Sequence, residues 1–129
     1  MNKILVEVSV GELLDKISIL EIKKNRIKDS NKLKFINEEY EVLKKELEKN
    51  IKIDQELTKF FTALKNVNSK LWIIEDDKRK CEKDSDFGEN FIRLSRDVHF
   101  LNDTRAKIKL DINNHTGSKI KEIKEYTNY

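Results

Sequence analysis

The chain has 129 residues and a net charge of +3, with no proline, three glycines and one cysteine. Average usage gives about 7% Gly and 5% Pro, so the turn punctuation of an all-β protein is missing, and the length suits one domain over 1–129. The lone Cys81 excludes an internal disulfide, no apolar run approaches the roughly 18 residues of a membrane span, and no signal-peptide pattern opens the chain, so a cytoplasmic protein is expected.

Residues Ile4, Val6, Val8 and Val10 alternate with Leu5, Glu7 and Ser9, the period of a strand. One strand makes no sheet, so a short extended N-terminal arm lying on helices is the expectation, with pairing to another copy or the start of helix 1 as alternatives. Ser9-Val10-Gly11-Glu12 is a capping box that opens helix 1. Val10, Leu13, Leu14, Ile17, Leu20 and Ile27 then recur at helical spacing to about Lys28. Helix 2 uses Leu33, Ile36, Tyr40, Leu43 and Leu47 and ends near Asn50. Helix 3 starts after Asp54 and carries Leu57, Phe60, Phe61, Leu64, Val67, Leu71 and Ile74 towards Cys81. A turn cluster from Lys83 to Gly88 precedes helix 4, with Phe91, Leu94, Val98, Leu101, Ile108 and Ile112, which ends before Gly117. A last amphipathic turn or two is expected around Ile120, Ile123 and Tyr126. Short connections make neighbours antiparallel. The expected fold is all-α, an antiparallel four-helix bundle or paired long helical hairpins. The long helix 3 outruns helix 1, and a homodimer would cover the excess.

Charged residues make up 40% of the chain and mix their signs, as in Glu41–Lys49, which reads as solvated helix faces. No basic patch stands out, so no specific nucleic-acid binding is expected. The anomaly is a set of polar residues on apolar stripes. Glu21 and Lys24 fall on that of helix 1, Asn68, Glu75 and Arg79 on that of helix 3, and Asn102 and Arg105 on that of helix 4. A polar layer of Glu21, Lys24, Glu75, Arg79, Asn102 and Arg105 is therefore expected inside the bundle. Buried charge must be paired, so one reading is a register-fixing ion-pair network. The other is a ligand site between helices, in which the bases clamp a carboxylate or phosphate.

Other constellations are poor candidates. His99 and His115 lack partners at metal-ligand spacing, and no Glu-x-x-His exists for a di-iron site. Glu38-Glu39-Tyr40-Glu41 looks like half of the acidic motif of all-α nucleotide pyrophosphatases, but its companion is missing. Glu75-Asp76-Asp77 fans out around a helix and cannot converge on a cation. Cys81 reads as a small buried hydrophobe. No metal or cofactor is expected.

Three segments together are distinctive: Val8–Lys23 with Arg26, Leu71–Asp77 with Arg79, Cys81 and Glu82, and Asp86-Phe87-Gly88 with Phe91, Asn102, Arg105 and Gly117–Glu122. They resemble a small bacterial and viral all-helical family catalogued as a domain of unknown function. The resemblance spans nearly the whole chain and implies no activity. A fainter likeness to the all-helical chorismate mutases rests on inward basic residues alone, and the arginine spacing differs. The leading expectation is a non-enzymatic helical interaction or assembly domain, homodimeric or with a protein partner. The alternative is a small enzyme or sensor that binds a dicarboxylate or sugar phosphate in the polar layer.

Overall fold

The computed structural model describes residues 2–129. It holds four helices, α1 (Val10–Arg26), α2 (Ser30–Asn50), α3 (Gln55–Lys83) and α4 (Glu89–Thr116), and no strand among the described residues. Three helices begin at the caps the sequence offers. The Ser9 hydroxyl accepts from the Glu12 N–H at 3.0 Å, the Asp29 carboxylate from Asn31 and Lys32, and the Asp54 carboxylate from Leu57 at 2.8 Å. Helix α4 starts at Gly88 without a side-chain cap. It ends at Gly117, whose φ of 67° is the left-handed C′ conformation that glycine adopts without strain.

The chain forms two antiparallel hairpins, α1–α2 and α3–α4, joined through α1. Helix α1 packs against the other three, whereas the α2 backbone comes close to α1 alone. Successive contacts from α1 to α4 fix the direction: Gly11 meets Asn113, Glu12 meets Lys109 and Asp15 meets Arg105. Helix α1 is thus antiparallel to α4 and runs in the same sense as α3. Its central place explains why burial reaches almost all round it, from Gly11 and Leu14 to Ile17, Ser18, Leu20 and Ile22. The main core gathers Leu14 and Ile17 of α1, Leu47 of α2, Leu57 and Leu64 of α3, and Ile112 of α4.

At 1.5 Å per residue, the 29 residues of α3 span about 43 Å and the 17 of α1 about 25 Å. Both start near the same end, so about 15 Å of the α3–α4 hairpin runs past α1. That distal part is closed by Cys81 and Leu94, both buried.

Two expectations about the termini need correction. The arm does not lie on the helices: Ile4, Leu5 and Val6 are 85%, 88% and 73% exposed. Residues 118–129 form no helical turn. Two isolated turns fall below the length at which helix propagation repays nucleation, and Ile123 and Tyr126 find no apolar surface to cover. Polar fasteners hold this tail instead. Ser118 accepts from the Val10 N–H at 3.2 Å, and Glu122 pairs with Lys109 at 2.9 Å.

Candidate functional site

Inward charge collects where α1 lies between α3 and α4. Asp15, 2% exposed, sits at its centre. Arg105 donates to both carboxylate oxygens, from Nε at 2.9 Å and from Nη2 at 2.5 Å. This two-point grip is the strongest form of carboxylate recognition by a side chain. Asn68 of α3 donates from one amide to Asp15 Oδ1 at 2.9 Å and to Ser18 Oγ at 2.8 Å. The Ser18 hydroxyl in turn donates to the Asp15 carbonyl at 2.8 Å. One turn further along α4, Lys109 donates to Glu12 at 2.8 Å and to Glu122 at 2.9 Å, and lies 4.0 Å from Asp15. The cluster closes with the Asn113 side-chain oxygen, which accepts from the Gly11 N–H at 2.7 Å.

Burial pushes the Asp15 carboxyl up, but the Arg105 and Asn68 hydrogen bonds and the charges of Arg105 and Lys109 outweigh it and hold it below its ordinary value. Hydrogen bonding to Asp15 raises Arg105 against the pull of its own desolvation. Burial depresses Lys109, yet its bonds to Glu12 and Glu122 carry it above the ordinary lysine value. All three therefore stay charged at neutral pH. Among the described residues no buried side-chain nitrogen or oxygen lacks a hydrogen-bond partner. Two cations here face three carboxylates, so the cluster offers an incoming anion no uncommitted base.

The six residues expected in one polar layer fall in separate places. Glu21 turns towards α2 and α3, pairing with Lys65 at 2.9 Å and accepting from the Tyr40 hydroxyl at 3.3 Å. Lys24 lies 4.0 Å above the Tyr40 ring. Arg105 is in the buried cluster, with Asn102 accepting from its Nη1 at 3.4 Å. Glu75 and Arg79 are exposed. They line an open groove of about 420 Å³ just past α1, whose apolar wall is Ile19, Ile22, Leu71 and Trp72, and which Arg105 and Asp76 also reach. Arg79 enters no ion pair among the described residues.

Asp15, Ser18 and Lys109 escaped the wheel argument. Their signal was nonetheless present. Gly11, Asp15, Ser18 and Ile22 recur at spacings of 4, 3 and 4 and form a second stripe on helix 1. Lys109 follows Arg105 by one turn. Cys81 is buried, with the Asn90 amide 3.6 Å from its sulfur. His115 meets Asp54 at 2.9 Å at the hairpin base.

No curated protein and no solved structure matches the chain. The model of DUF6165, a family of unknown function, matches residues 4–129, and the chain belongs to that family.

Proposed function

We propose that this chain is a non-enzymatic helical assembly domain that works as a homodimer. The observation that carries the reading is the incomplete cover of the α3–α4 hairpin. Where α1 stops, Trp72 lies in an open groove, and on the hairpin Ile73, Ile92 and Phe100 stand exposed. The chain exposes 9602 Å², against about 7,100 Å² for a compact monomer of its mass. The two terminal segments account for part of that excess. A standard interface removes about 800 Å² from each partner, which the remaining open surface can supply. The buried cluster supports the same reading, because its charges are already spent on one another. They fix how α1 sits in the hairpin rather than waiting for a substrate.

Light scattering on the full chain over a range of micromolar concentrations tests the proposal. A mass twice 15.3 kDa is expected, with a melting temperature that rises with concentration. A monomer mass throughout would end it.

A second reading, a sensor or small enzyme for an anionic metabolite, has one observation in its favour. Arg79 stands unpaired beside Arg105 in the 420 Å³ groove. Glu75 and Asp76 on the same wall oppose it. A dicarboxylate or sugar phosphate that raises the melting temperature of the parent chain, but not of Arg79→Met, would establish this reading.

A further inference from the structure

Residues 2–8 carry Ile4, Leu5, Val6 and Val8, all exposed, on a segment with strand-like alternation. Such apolar density is out of place in water. The groove past α1 has the reverse property: Ile19, Ile22, Leu71 and Trp72 form an apolar wall with nothing upon it. The two cannot meet along their length within one chain. The arm is rooted at Ser9, before the first turn of α1, and the groove lies at the other end of that helix, about 25 Å away. Seven extended residues reach about 25 Å at most, which would bring only the arm's tip to the groove's near edge.

The charges also match. Lys3 and Glu7 of the arm enter no ion pair among the described residues, and neither do Glu75 and Arg79 of the groove. Glu75 and Arg79 are four apart on a helix, the spacing at which they would pair with one another, yet each is left to the solvent. With Ile4, Val6 and Val8 turned to the apolar wall, an extended arm puts Lys3 and Glu7 along the rim. Lys3 sets out towards Glu75 and Glu7 towards Arg79. The arm spaces its two charges by about 13 Å and α3 spaces its two by about 6 Å, a difference that long side chains take up.

We infer that the arm of one copy docks in the groove of a second copy, and that the exchange is reciprocal. This is the isologous arrangement expected of a two-fold dimer. It rests on the homodimer reading above and names its contact.

Full-length variants and sedimentation test it, with helicity checked by circular dichroism. Ile4→Asp/Val6→Asp leaves every helix untouched and is expected to abolish the dimer. Glu7→Arg and Arg79→Glu each weaken it by about tenfold in Kd, and the two together recover most of that loss. A dimer indifferent to the arm substitutions, or a double charge reversal that recovers nothing, overturns the inference. It leaves the homodimer standing with its contact elsewhere, as on the Ile73 and Phe100 flank, where Ile73→Lys would then dissociate it. A full chain that is monomeric at every concentration removes the homodimer reading and this inference together.

Discussion

Arg105 of α4 grips both carboxylate oxygens of Asp15 of α1, and Asp15 is the more deeply buried of the two. The asymmetry sets what each substitution does. Arg105→Met leaves an ionised carboxylate in the interior with only Asn68 and a distant Lys109 beside it. Stranding one member of a buried pair costs about 3–5 kcal/mol, a fall of about 10–20 °C in Tm at this chain length. Asp15→Asn leaves Arg105 unpaired, but its guanidinium is partly open to water, so the loss is smaller. Arg79→Met, at an exposed site, stays within about 0.5 kcal/mol. Urea denaturation of the three variants gives the order, and equal losses for Arg105→Met and Arg79→Met would refute it.

The same pair predicts how stability depends on pH. The Asp15 carboxyl is held below its ordinary value, so the unfolded chain takes up this proton first as the pH falls. The stabilisation is full above about pH 4, the unfolded value, and disappears as the pH drops through the folded one. Glu122 adds to the trend, since hydrogen bonding to Lys109 and its positive charge lower this carboxyl too. The denaturation midpoint is therefore expected to fall steeply below pH 4. Asp15→Asn should flatten that fall, and a slope identical to the parent's would locate the acid sensitivity elsewhere.

How far these features were legible beforehand depended on where their causes lay. Local causes were readable. Ser9, Asp29 and Asp54 cap their helices through bonds to residues two or three positions on, and Gly117 closes α4 by its own conformational freedom. Partnership across helices was less so. Glu21 and Lys24 share a stripe with Leu20, but a stripe does not say which neighbour it faces, and here it is Tyr40 of α2 and Lys65 of α3. Glu75 and Arg79 continue the buried stripe of Leu64, Asn68 and Leu71, yet lie exposed because α1 has ended. Burial of Asp15 follows from α1 being surrounded by three helices, which its two apolar faces hint at and no single stripe reveals.

Gly11 gives that crowding a test. A Cβ built there would lie 2.5 Å from the Lys109 carbonyl oxygen and 3.0 Å from the Asn113 side-chain oxygen. The first neighbour is backbone and cannot swing aside. Gly11→Ala gains about 1 kcal/mol of helix propensity, but forcing α1 away from α4 costs about 1–3 kcal/mol, and it lengthens the 2.7 Å bond from Gly11 to Asn113. A net loss is expected. At Gly88 the nearest atom is 3.5 Å away, an ordinary contact, so Gly88→Ala has no such clash. Thermal melts of the two variants should separate them, and a Gly11→Ala chain as stable as the parent would show that the α1–α4 approach is loose.

The tail tests the outer edge of the cluster. Residues 118–129 are held by polar contacts: Ser118 at Val10, Glu122 at Lys109, and the Tyr129 hydroxyl at Asp103. Ile123 and Tyr126 are largely exposed and add little. Glu122→Gln removes the charge that anchors the middle of the segment, while Lys109 keeps Glu12. A partly exposed ion pair is worth up to about 1 kcal/mol, so the detached population should rise about two- to fivefold. Cleavage of a transiently opened segment follows that population when reclosing is fast. Trypsin should therefore cut at Lys119, Lys121 and Lys124 correspondingly faster in Glu122→Gln. Cooperative unfolding of the helices should stay unchanged, because the Asp15–Arg105 bond does not involve the tail. An unaltered cleavage rate would mean that Ser118 and Tyr129 hold the segment without help from Lys109.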